Sequence, residues 1–308
     1  MTIPLMAHAA PHPAAPRRFQ RLLPYLLFLL FIAPNITLLI LFTYRPLVES
    51  IRLSFYDWDL ISPQKTWVGF ENYSDYFTDP TSRYIIRNTL VFTAATVGTT
   101  MAIGLGLALL LNLRLRGRNA ARTVLFAPYV LGGAAIGIIW LFIFDPRFGL
   151  VSALLGRLGL PSPNWYNDPN WAMPMVIIVY TGRTSATPPS STSPASKPSP
   201  ANFTKLPAST ARAPGALLAR HAPQLSPMTF FLLVTTMLSS MQAFDIISVM
   251  TAGGPLDATK TMVYQVYEEA FVRFRVGDAS TVATVLFFIL LGVTLLQVRF
   301  LERRVNYG

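Results

Sequence analysis

The sequence predicts an all-α integral membrane protein of six intended transmembrane helices, the fourth truncated by an aberrant Pro/Ser/Thr/Ala-rich stretch. Three observations lead there. Of 308 residues, 52% are hydrophobic and only 13% charged, against about 25% charged in an average soluble domain. Apolar runs of bilayer length recur along the chain, broken by short charged loops. One segment, 181–223, has a different composition: it reads TGRTSATPPSSTSPASKPSPANFTKLPASTARAPGALLARHAP, with no acidic residue and no helical or strand period.

Residues 1–21 are polar and Pro-rich, and are expected to form a disordered cytoplasmic leader to a transmembrane domain over 22–305. The apolar run 22–44 has full span length and no small-residue cleavage site behind it, so it reads as a retained helix kinked at Pro34 and Asn35. The second span, 90–111, holds Gly104 and Gly106, which permit close helix contact. The third, 124–144, carries Gly133-xxx-Gly137, a small-residue packing face. Runs 228–250 and 281–300 are also full length. The run 171–180 (WAMPMVIIVY) is not: ten helical residues reach about 15 Å, half of a ~30 Å core.

Charge orients the spans. Arg17, Arg18 and Arg21 precede the first, Arg114, Arg116, Arg118 and Arg122 separate the second from the third, and Arg299, Arg303 and Arg304 close the last. The positive-inside rule makes all three clusters cytoplasmic. The mixed loop from Arg45 to Arg87 then lies outside. Cytoplasmic N- and C-termini require an even number of spans, whereas the full-length runs number five. The short run 171–180 is therefore read as the first half of a fourth span whose second half the 181–223 stretch replaces.

Composition excludes several chemistries. The chain has no cysteine, so disulfides, iron–sulfur clusters and thiolate zinc sites are out. His8, His12 and His221 are too scattered for a metal site, and no cofactor is expected. The net charge of +11 sits beside apolar runs and not on one amphipathic face, which fits anchoring at a lipid bilayer and not nucleic acid. There is no G-x-x-x-x-G-K-[ST] loop and no nucleophile–base arrangement, so a membrane enzyme is disfavoured and no ATP would be hydrolysed here.

Several segments carry a family resemblance. They are PLVESIRLSFYDWDL and VGFENYSDYF after the first span, RNTLVFT and LALLLN around the second, and RTVLFAPYVL and IWLFIFDPRFGLVSALL around the third. SPMTFFLLVTTMLSSMQAFDIISVMTAGGP and TVATVLFFILLGVTLLQVRFLERRV complete the set. Over about 22–181 and 224–305 the chain resembles the permease subunits of bacterial binding-protein-dependent ABC importers, of the sugar and glycerol-phosphate type. That resemblance implies a multi-pass protein of the bacterial cytoplasmic (inner) membrane, forming half of a carbohydrate pathway and doing no covalent chemistry. It implies three protein partners: a second permease subunit, a pair of ATP-binding subunits and an extracytoplasmic solute-binding protein.

In such permeases a cytoplasmic loop between the fourth and fifth spans carries a Glu-Ala-Ala pattern shortly before a Gly, and docks on the ATPase. Here the 181–223 stretch stands in its place. Read one base out of frame, codons for Phe203 through Arg212 permit Tyr-Glu-Ala-Ala-Arg-Ile-Asp-Gly-Ala, which puts the lost coupling loop at Phe203, Thr204, Lys205, Leu206 and Pro207. Single-base shifts, in the gene or in its sequencing, are the expected cause. An alternative to a working permease is thus the non-functional product of a frame-shifted gene, or a sequencing artefact, lacking that loop. A genuine Pro/Ser/Thr linker is the plainer reading of the letters, but it leaves the half-span and the parity unexplained.

Polar groups inside spans are costly and often functional, which makes Gln242, Asp245 and Asn88 the candidate substrate-pathway residues. Each has a plainer alternative. Gln242 and Asp245 could make structural hydrogen bonds to a neighbouring helix, or to re-entrant backbone near Gly253 and Gly254, and Asn88 could cap the second span. Trp140, Trp165 and Trp171 are assigned to an outer aromatic belt, and Asp145–Arg147 to a surface turn.

Overall fold

A computed structural model describes residues 17–112, 118–185 and 229–301. The coupling segment expected at Phe203, Thr204, Lys205, Leu206 and Pro207 lies outside them, as does most of the 181–223 stretch. The chain divides after Arg52 into two compact units.

The first unit is a long helix with one irregular turn. Helix α1 (Arg17–Leu39) continues through Pro24 and Pro34, and its first residues are drawn from the leader expected to be disordered. The departure from α geometry falls at Ile40–Tyr44, which forms a wider π turn before α2 (Arg45–Leu53). Pro46 accounts for it, because its ring has no N–H for the carbonyl four residues back and clashes with that carbonyl. The π turn widens the ladder there, and the Arg45 N–H instead reaches the Ile40 carbonyl.

The second unit opens with a short hairpin, β1 (Tyr56–Asp57) against β2 (Thr66–Trp67), antiparallel with Tyr56 opposite Trp67. Helix α3 (Glu71–Thr78) leads into α4 (Pro80–Asn112), the 33-residue axis of the unit. Asp79 starts α4: its carboxylate accepts from the Thr81 and Ser82 N–H groups at 3.2 and 2.9 Å, with Pro80 at the first helical position. Those bonds outweigh partial burial and hold the Asp79 carboxyl below the usual aspartate range.

The third apolar run does not form one helix. It divides into α5 (Arg118–Val130) and α6 (Gly133–Ile143), with Gly132 extended between them. Pro128 leaves a carbonyl without a donor, and the Gly132–Gly133 pair removes what would hold the helix straight. Helix α7 (Leu150–Arg157) follows the expected turn, in which Asp145 accepts from the Arg147 and Phe148 N–H groups at 2.8 and 3.2 Å. Tyr166 donates to the other Asp145 oxygen at 3.1 Å.

Helix α8 (Pro169–Thr184) is longer than its apolar run. Asp168 and Pro169, which seemed to block a helix, instead start it: Asp168 accepts from the Asn170 N–H at 2.9 Å. At its other end α8 takes in Thr181–Thr184 from the compositionally odd stretch, and its 16 residues reach about 24 Å. The fifth run is also broken, into α9 (229–241) and α10 (Asp245–Met250). The sixth runs through α11 (Met262–Tyr267), a π turn (Glu268–Val272) and α12 (Val276–Leu301). Among the described residues, four segments are long and apolar enough to cross a membrane: Leu27–Leu53, Pro80–Leu107, Thr229–Met250 and Val276–Arg299.

Two apolar clusters flank α4. One joins Phe92 to α6, α8 and α10 through Ile136, Val176 and Ile246; the other joins Ile85 to Met241, Met262 and Val282. Trp165 belongs to the first and is buried between Phe144 (4.9 Å) and Trp171 (5.1 Å), so it is core and not an interfacial belt residue.

Candidate functional site

Helix α4 binds its neighbours through a line of hydroxyls. Thr96 meets Ser240 of α9 at 2.8 Å, and Thr99 and Thr100 meet Thr181 and Thr184 of α8 at 2.9 and 3.1 Å. Such bonds give direction to helix packing where lipid supplies no hydrophobic drive. Beside this seam lie both interrupted spans, the Gly132 break and the 242–244 break.

Asp245 stands at the second break. Its Oδ1 accepts the next backbone N–H, from Ile246, at 2.9 Å, a local bond that competes with continuing the helix. Its Oδ2 accepts from Arg183 Nη1 of α8 at 3.2 Å. The same carboxylate lies over Gly133, where a Cβ would collide with it. Gly137, one turn on, would bring a Cβ to 3.2 Å from Val249 and 3.3 Å from Met250. The small-residue face of α6 therefore packs on α10. The Asp245 side chain is 39% exposed and Arg183 22%. Gln242 is exposed in the break itself, its backbone N–H bonded to Leu238. The structure thus brings Asp245 and Gln242 together at a gap between helices, and shows Asp245 bonded to a neighbouring helix.

Asn88 is elsewhere. It is buried, and its amide donates to the Asp257 carbonyl at 2.9 Å and the Lys260 carbonyl at 3.4 Å. Thr89 beside it accepts the Met262 N–H at 2.9 Å. Helix α4 begins eight residues earlier, at Pro80, so Asn88 is not its cap. It clamps the loop between α10 and α11.

That loop and α11 form a strongly polar end. Lys260 Nζ bridges Asp257 and Glu268, both at 2.6 Å. Arg273 joins Glu268 (2.8 Å) to Glu269 (3.0 Å), and Arg275 joins Glu269 (2.6 Å) to Asp278 (3.4 Å). Burial alone would lower the Lys260 ammonium, but its bonds to Asp257 and Glu268 hold it above the usual lysine range. A cavity of about 440 Å³ opens here, and Asp75 and Asp79 add further carboxylates to its wall. Gly253 is required in the loop: its φ is +79° and a Cβ would press on the Tyr264 ring at 2.9 Å.

Sequence reasoning missed Arg183, because it was grouped with the 181–223 stretch. It also missed the aromatic ladder Phe244–Tyr267–Phe271, with centroids 5.0 and 5.8 Å apart, although the four-residue spacing of Tyr267 and Phe271 was visible. Among the described residues no group of three His, Asp or Glu is placed to hold a metal ion.

No family model matches the chain, but individual proteins do. The sn-glycerol-3-phosphate transport system permease protein UgpA of Brucella abortus biovar 1 (strain 9-941) is 33% identical, over 94% of this chain and 98% of its own length. UgpA of Rhizobium meliloti (strain 1021) is 32% identical over 94% and 98%, and that of Yersinia pestis 29% identical over 92% and 96%. Among solved structures, a bacterial ABC transporter involved in the import of the acidic polysaccharide alginate superposes with TM-score 0.77. It is 17% identical, over 94% of this chain and all of that one (100%), and so speaks to the fold. With apolar helices of bilayer length, broken spans at a polar seam and relatives aligned nearly end to end, the chain belongs to the permease family of bacterial binding-protein-dependent ABC importers, of the sugar and glycerol-phosphate type.

Proposed function

We propose that this permease forms half of the translocation pathway of an ATP-driven importer for a sugar or glycerol-phosphate-like solute. The observation that carries this reading is the 33% identity, over 94% of the chain, to a permease of an sn-glycerol-3-phosphate transport system. The proposed partners are a second permease, a pair of ATP-binding subunits that hydrolyse the nucleotide, and a solute-binding protein outside the membrane. The last is supported by a similar structure, 18% identical with TM-score 0.75, of an alginate ABC transporter in complex with an alginate pentasaccharide-bound periplasmic protein. Both termini are cytoplasmic in this reading, and the polar end around Lys260 faces outward. Gln242 and Asp245 line the pathway, while Asn88 acts by holding the loop after α10.

The fourth span begins with α8, and we take its second half and the coupling segment at Phe203–Pro207 to be encoded out of frame; resequencing the locus tests this, and an uninterrupted frame would sink it. The alternative of a non-functional product draws no support from the comparisons, whose alignments cover 94% of the chain and 98% of a relative.

Reconstitution decides the main reading. The chain is co-expressed with its neighbouring transport genes and placed in proteoliposomes loaded with ATP. Uptake of sn-glycerol-3-phosphate or of a disaccharide, dependent on the solute-binding protein and matched by ATP hydrolysis, is the expected result. An assembled complex that moves neither solute overturns it.

A further inference from the structure

The intramembrane ion pair has a feature that helix packing alone does not explain. Arg183 meets the middle of the apolar run 90–111, because its neighbours Thr181 and Thr184 bond Thr99 and Thr100. The other described Lys and Arg residues of the spans lie toward their ends: Arg83 and Arg87 begin α4, Arg118 and Arg122 begin α5, and Arg299 closes α12. A cation at such depth costs about 2.5–3.5 kcal/mol on insertion scales. Full compensation would use the two-pronged guanidinium–carboxylate pair. Here the contact is a single bond, Nη1 to Oδ2, and the buried Arg183 Nε donates to nothing. The carboxylate is 39% exposed, and the break at 242–244 leaves the exposed Gln242 beside it.

We propose that Arg183 is an anion-recognition residue of the pathway, selecting a solute with a phosphate or carboxylate group, and that Asp245 is its resident counter-ion, replaced by the solute's anion. The inference rests on the importer reading above. A phosphate monoester offers several oxygens to the guanidinium fork, so it can engage the spare Nε together with the Nη1 now held by Asp245. Asp245 can yield, since it is partly exposed and its Oδ1 keeps the Ile246 N–H. Gly133 leaves the space in which the carboxylate moves. A purely structural latch and a displaceable counter-ion make opposite predictions for Asp245→Asn. The latch loses stability and function together. Freeing Arg183 from its competitor instead strengthens anion binding.

The test uses the assembled importer in nanodiscs without ATP or solute-binding protein, titrated with sn-glycerol-3-phosphate and, as the uncharged comparator, maltose. The expected result is at least tenfold weaker glycerophosphate binding in Arg183→Ala, an intermediate value in Arg183→Lys, and at least threefold tighter binding in Asp245→Asn. Maltose binding would not change. Equal glycerophosphate binding by wild type and Arg183→Ala overturns the inference, as does weaker binding in Asp245→Asn with a lowered melting temperature. Uptake in proteoliposomes separates the two levels: transport of maltose but not glycerophosphate by wild type sinks the anion role and leaves the importer, whereas transport of neither sinks the importer reading. Binding unchanged by Arg183→Ala rejects the anion role in either case.

Discussion

The polar end around Lys260 and the broken-helix layer around Asp245 hold charge in different ways. At the polar end, seven charges alternate in sign from Asp257 through Lys260, Glu268, Arg273, Glu269 and Arg275 to Asp278. Asn88 and Thr89 tie their backbone to α4. At the broken layer, one single-bond ion pair and the Gly133–Gly137 face join α6, α8 and α10. Many mutually supporting bonds fix a shape, while few bonds over small residues leave two arrangements close in energy. The difference teaches where such a protein can afford to move: at the layer, with the polar end carried as a rigid piece.

The largest effect should come from breaking the polar end. Lys260→Ala leaves the Glu268 and Asp257 carboxylates without their shared cation, and a loss of about 3 kcal/mol is expected, read as a lower unfolding temperature of the detergent-solubilised protein. Its pH dependence has a definite sign. The folded ammonium is held above its usual range, so its stabilisation is whole below about pH 10.4 and fades as pH rises through the folded value. Next is Gly133→Ala, whose methyl group lands on the Asp245 carboxylate: about 2 kcal/mol of overpacking is expected. Gly106→Ala, with nothing within 4 Å of the new methyl, should be neutral or slightly stabilising, up to about 1 kcal/mol. Equal effects at the two glycines would end the claim that α6 and α10 are in close contact. Asn88→Ala frees two loop carbonyls and should cost about 1.5 kcal/mol, with faster amide exchange at 257–262 and none of the solute-binding change predicted for Arg183. Smallest is Asp79→Ala, about 1 kcal/mol for a lost helix cap. Because the Asp79 carboxyl is held low when folded, its contribution is present at neutral pH and lost as pH falls through the folded value.

Span-length apolar runs were legible because lipid demands them: the runs at 90–111 and 281–300 lie inside α4 and α12. Hydropathy is blind to what interrupts a helix inside an apolar run, so the breaks at Gly132 and 242–244 went unseen. Only local backbone competition, as Asp245 shows with Ile246, reveals them. Asp168 and Pro169 were misjudged in the opposite direction, since residues that end one helix make good starts for another. For the site, polarity within a span singled out Asp245 and Asn88 but could not separate their settings. That required partners distant in sequence, Arg183 for one and the Asp257 carbonyl for the other.

The threonines of α4 bear on how such a chain is made. Thr89, Thr96 and Thr99 each donate to a carbonyl one turn back in their own helix. A hydroxyl satisfied in this way enters lipid without needing a neighbour. Helix α4 can therefore leave the insertion machinery early and wait alone in the bilayer. Ser240, Thr181 and Thr184 arrive later in synthesis, and find hydroxyls that have spent the interval without exposing an unbonded proton to hydrocarbon.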